Sequence, residues 1–130
     1  IFQKEKRFVT IIIYWTITLD KMTRLERPDL ATNVSFHGHD FMATKKDIEK
    51  VCGTVMYTDD DIDEKTQNEW EMQTEDGTAV TIYDFKEYRE YSDDEKIEWH
   101  IGANNRFGSK KGYDELKRAF HLHPKITYNI

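Results

Sequence analysis

The chain has 130 residues, of which 38% are apolar, 13% aromatic and 34% charged, with a net charge of −6. That length is one small domain, because single domains run from roughly 50 to 250 residues. The composition excludes a disordered chain, a collagen-like chain and a polytopic membrane protein. The negative balance argues against non-specific binding to nucleic-acid backbones. Cys52 is the single cysteine, which precludes an intrachain disulfide and a thiolate-built zinc site and favours a reducing compartment.

The first predicted element is residues 8–19, nearly all β-branched or aromatic, behind the basic Lys4, Lys6 and Arg7. Such a pattern imitates a secretory signal, but Leu19, Asp20 and Lys21 offer no small-residue cleavage pattern, which argues against secretion. The run is also shorter than the roughly 20 residues that cross a bilayer as a helix. Its β-branching predicts a long strand that covers a sheet edge or mediates homo-oligomer or particle assembly. Residues 23–33 are polar, contain Pro28 and read as a linker. Residues 1–33 are therefore predicted to be an N-terminal extension, with Met22 an internal candidate start, and residues 34–130 a single compact domain.

Within that domain, residues 34–42 suit a short strand that ends where Ala43 and Thr44 open a helix. Thr44 is placed to cap, Asp47 lies in the first turn, and Gly53 supplies the left-handed stop. Ile48, Val51 and Cys52 fall on one face, so the thiol is expected to be an inert core group. Residues 68–86 hold two strand-like runs around Glu75, Asp76 and Gly77. A two-residue loop mixes core and solvent faces. A three-residue loop with Gly77 left-handed pairs Trp70 with Ile82, Met72 with Val80 and Thr74 with Thr78, and is the predicted register. Ile97, Trp99 and Ile101 continue the alternation in a third strand. A second helix is expected from Ser109 as cap, with Tyr113, Leu116 and Phe120 inward and Pro124 beyond its end.

The other face of the three strands carries Glu69, Glu71, Thr81, Tyr83, Glu98 and His100. Alternation alone makes this a solvated face, yet an aromatic, an imidazole and carboxylates on a rigid sheet also suit a polar binding surface. The candidate ligand-binding residues are Tyr83, His100, Glu98, Glu71 and Thr81. His37 and His39 stand two apart, the spacing that puts both imidazoles on one strand face as a metal chelate requires, so they are the candidate metal ligands. His121 and His123 share that spacing but suit interaction with a helix end. The acidic run from Asp59 to Glu64 fails the EF-hand test: Glu64 stands where the loop needs glycine, and Trp70 where it needs a bidentate carboxylate. It reads as a solvated acidic loop. No phosphate-binding glycine loop and no ordered catalytic triad is visible, and no cofactor is implied. Charge is segregated: residues 59–98 hold sixteen acids and four bases, residues 106–125 six bases and two acids. Opposed patches of this kind steer association with a partner.

Thr-Glu-Asp-Gly-Thr at 74–78, Thr-Ile-Tyr-Asp at 81–84, Lys86-Glu87-Tyr88 and Trp-His-Ile-Gly at 99–102, taken in order over residues 34–120, resemble a small uncharacterised protein family of double-stranded DNA phages and large DNA viruses. Phe85 stands where that family often has Trp, and Ala103 where it has a second Gly. The resemblance implies viral origin, a compact α+β unit, and a place in the host cytoplasm or the virion; it transfers no catalytic residue. The expectation is an α+β fold, a small antiparallel sheet with one or two helices packed on its Trp70, Ile82 and Trp99 face. The expected function is a viral accessory binding module for a host macromolecule or a small ligand, rather than an enzyme. The alternatives are a metal-assisted hydrolase using His37, His39 and His100, and a structural component of a viral particle.

Overall fold

Residues 22–122 are described by the computed structural model. Their alternating apolar side chains build one six-stranded sheet in which every pairing is antiparallel. The strands are β1 (Thr23–Arg24), β2 (Ser35–Thr44), β3 (Tyr57–Thr58), β4 (Asn68–Gln73), β5 (Ala79–Asp84) and β6 (Lys96–Ala103). Their order is β1-β4-β5-β6-β2, and β3 also pairs with β4. Two helices, α1 (Lys45–Cys52) and α2 (Arg106–Leu122), complete the expected α+β fold together with a 3-10 turn over Pro28–Ala31.

The hairpin takes the three-residue register. Trp70 faces Ile82 and Met72 faces Val80, and the turn closes through Thr74 N–H to Thr78 O at 2.9 Å and Gly77 N–H to Thr74 O at 2.9 Å. Gly77 sits at φ +85°, the left-handed region that a G1-bulge turn needs and a side chain resists. Trp70 and Trp99 meet edge to face at 5.5 Å and are fully buried. Each indole N–H has a backbone carbonyl partner, the part-buried Gly53 O for Trp70 and the buried Ala43 O for Trp99, both at 2.9 Å. Ile48, Val51 and Cys52 of α1 and Leu116 and Phe120 of α2 close the same core.

Thr44 caps α1 as expected, its hydroxyl accepting from Asp47 N–H at 3.0 Å, and the helix stops at Gly53. The start of α2 differs from the expectation. It begins at Arg106, with the Asn105 side chain accepting from Gly108 N–H at 2.8 Å. Ser109 is therefore inside the helix and wholly buried. Gly108 and Gly112 are both buried on this helix, so close packing overrides their low propensity.

The linker expected over 23–33 is corrected. Thr23 and Arg24 pair with Gln73 and Met72, Met22 belongs to the core cluster, Leu25 is buried, and the 3-10 turn lies against β5. The domain thus begins at or before Met22, because the outer edge of β4 needs backbone partners and takes them from β1 at one end and β3 at the other. The expected strand over residues 8–19 lies outside the described residues. A chain starting at Met22 is expected to unfold in one cooperative thermal transition; a molten product without near-UV circular dichroism contradicts this.

Helix α2 also grips the hairpin turn. Glu115, 2% exposed, accepts from Glu75 N–H at 2.8 Å, and Lys111 pairs with Asp76. The second oxygen of Glu115 has no hydrogen-bond partner. Burial raises the Glu115 carboxyl above its ordinary value, against the lowering effect of the Glu75 N–H. A folded-state value above the unfolded one means the folded chain holds the proton more tightly. Stability from this group is therefore greatest below the ordinary glutamate range and is lost as pH rises through the raised value. Glu115→Gln keeps the acceptor and removes the ionisation. It is expected to stay within about 1 kcal/mol of the parent near pH 7 and to flatten the stability profile between the ordinary and raised values; an unchanged profile by urea unfolding refutes the assignment.

Candidate functional site

With both helices on the core face, the opposite face carries cross-strand ladders. Tyr57, Glu69, Tyr83, His100 and Asp40 stand opposite one another in sequence across β3, β4, β5, β6 and β2. The neighbouring row is Glu71, Thr81, Gly102 and Phe36. Gly102 is required there, because a Cβ would lie 2.4 Å from Thr81 Oγ1. Thr81 fills the space beside that glycine and is 2% exposed, so it supports the surface and is not open to a ligand.

His100 is the hub. Its ring lies 4.6 Å from Phe36, 5.6 Å from Tyr83 and 5.4 Å from Phe85, and Phe85 meets Tyr83 edge to face at 6.4 Å. Its Nε2 is 2.9 Å from Glu98 Oε1. Phe36 and Phe85 each keep 38% of their surface exposed. Lys86 already places its ammonium 5.3 Å from the centre of the Phe85 ring. The face is a half-open aromatic platform fringed by Asp40, Glu98, Glu69 and Glu71. Glu69 is partly buried, and burial, followed by the charges of Glu71 and Asp84, holds its carboxyl above the usual range. Burial and the Glu69 charge likewise raise Tyr83. Negative charge is in excess on this face, and an incoming cation relieves it.

Of the ligand-binding candidates, the structure brings together Tyr83, His100 and Glu98. Glu71 lies on the same face, within 3.4 Å of the Tyr57 hydroxyl. Phe36, Phe85 and Asp40 were not foreseen. Phe36 and Asp40 flank an irregularity in the β2–β6 pairing, with Gly38 at φ +95°; three residues of β2 stand opposite Ile101 alone, and this shift brings Asp40 opposite His100. The same bulge interrupts the alternation on which the His37 and His39 chelate depended. His37 Nε2 lies 3.0 Å from Ala103 O, and His39 Nδ1 lies 2.7 Å from Ser109 Oγ with its ring against Tyr113. Each imidazole is engaged separately. Among the described residues, the group of three metal-capable side chains is instead Asp40, Glu98 and His100.

The His39–Ser109 contact has the composition of a nucleophile and its base, but Ser109 is wholly buried, so the pair pins β2 to α2. The acidic run is solvent-exposed as expected, with Asp59 and Asp61 side chains accepting from Asp61 and Asp63 N–H. Beside it a shallow polar groove of about 490 Å³ is lined by Lys45, Asp59, Asp60, Gln67, Glu90 and Asp93 among others.

No family model, curated protein or solved structure matches the chain. Among the described residues no helix is long and apolar enough to cross a membrane.

Proposed function

We propose that this domain is a binding module whose open sheet face takes up an arginine-bearing segment of a protein partner. The observation that carries the reading is the combination on one rigid surface of half-exposed rings around His100 with four carboxylates at their margin. A guanidinium is planar and weakly hydrated; it stacks on aromatic faces and forks onto carboxylates, so it matches both parts of the platform at once. Lys86 over Phe85 is the chain's own instance of a cation on this surface. The motif resemblance supports placing such a module among viral accessory proteins, working in the host cytoplasm or in the virion.

The experiment is titration with a short arginine-containing peptide followed by calorimetry. Tyr83 and His100 are half-buried against each other, so Tyr83→Ala with His100→Ala is expected to cost about 1–2 kcal/mol each and leave a folded chain. Binding is expected to fall by about tenfold or more, the equivalent of losing roughly 1.4 kcal/mol, and to weaken with added salt. A folded double variant with full affinity refutes the platform reading.

A further inference from the structure

We propose that Asp40, Glu98 and His100 form a binding site for a divalent transition-metal ion of the zinc class at the margin of the platform. One ligand atom from each of the three lies within 4.8 Å of the others. They converge from two adjacent strands: Asp40 stands directly opposite His100, and Glu98 lies two residues along β6 on the same face. The donor set is one imidazole nitrogen and two carboxylate oxygens. Calcium and magnesium favour all-oxygen shells, whereas an imidazole with carboxylates suits zinc, cobalt, nickel or manganese. Two carboxylates neutralise a divalent charge, so the ion enters without an uncompensated positive charge.

The arrangement is prepared for such an ion in a further respect. The His100 side chain is only 16% exposed and its ring is wedged among Phe36, Tyr83 and Phe85, so the nitrogen donor is held in place before an ion arrives. Glu98 hydrogen-bonds to Nε2 at 2.9 Å, so an entering ion takes the place of the proton between them and releases it. Asp40 and Glu98 are exposed and free of core packing, so both turn without disturbing the fold to close around bonds of about 2.0–2.2 Å. Three protein ligands leave a coordination position to water, as in open rather than structural zinc sites. The site shares Asp40, Glu98 and His100 with the arginine platform but does not depend on that reading, because its probe is the metal alone.

The test is titration of the full chain with zinc chloride, followed by calorimetry and by the imidazole ¹H–¹⁵N resonances. One equivalent is expected to bind with displacement of the His100 resonances. His100→Gln and Asp40→Asn are each expected to weaken binding by more than the roughly 10–100-fold that loss of an outer-shell partner costs. His37→Gln leaves it unchanged. Asp40→Asn, at an exposed position, keeps the test decisive if His100→Gln fails to fold. Absence of zinc binding, full binding by Asp40→Asn, or resonance changes confined to His37, His39 or His121 overturns the proposal.

Discussion

Trp70→Ala and Trp99→Ala are each expected to lower the stability of the fold by about 3–5 kcal/mol, the cost of truncating large aromatics in a closed core. Both side chains are fully buried, and they touch each other edge to face. Each also satisfies a backbone carbonyl, the part-buried Gly53 O at the end of α1 and the buried Ala43 O near the end of β2. Truncation therefore removes core volume and orphans an acceptor where strand and helix meet. Because the rings share a contact, the double variant should cost less or more than the sum of the singles rather than equal it. Urea midpoints within error of the parent for either single variant show that the tryptophans do not carry the core.

Asp84→Ala is expected to be of similar size, about 3–5 kcal/mol, although it removes no apolar surface. The Asp84 carboxylate is 1% exposed and accepts from Gln67 N–H at 2.7 Å, Asn68 N–H at 3.0 Å, Asn68 Nδ2 at 3.2 Å and the Tyr91 hydroxyl. It fastens the entry of β4 and the β5–β6 connection to the end of β5. Removing it strands several buried donors at once, and breaking a buried charged network in this way is strongly destabilising. Burial, then the hydrogen bond and charge of Asp84, push the Tyr91 hydroxyl far above its ordinary value. The Asp84 variant should release that hydroxyl to titrate in a lower range, read by ultraviolet absorbance. A variant that unfolds at the parent's urea concentration contradicts the network account.

What the sequence made legible was local. The hairpin register followed from matching Trp70 and Met72 to Ile82 and Val80, because a one-residue slip puts every side chain on the wrong face. The α1 caps followed from Thr44, Asp47 and Gly53, each acting within a few residues. The same alternation that places Val80 and Ile82 in the core also places Asp84 there, a signal for the buried network that hydrophobicity alone passes over. What escaped depends on distant pairing. Asp40 meets His100 only through the β2–β6 register, sixty residues apart, and the bulge at Gly38 upsets the two-residue period that pointed to His37 and His39. Residues 23–25 read as linker because their role is to cover an edge of β4 with backbone, which side-chain chemistry does not announce. Thr81 alternates correctly onto the open face, yet the missing side chain of Gly102 lets it sink out of reach.

On the proposed function, the open face, and not the basic helix or the acidic loop, is the binding surface. Titration of ¹⁵N-labelled protein with an arginine-containing peptide tests it most directly. Chemical-shift changes are expected to concentrate at Phe36, Asp40, Glu69, Tyr83, Phe85, Glu98 and His100. Changes centred on residues 59–64 or on the exposed side of α2, or no changes at all, contradict it.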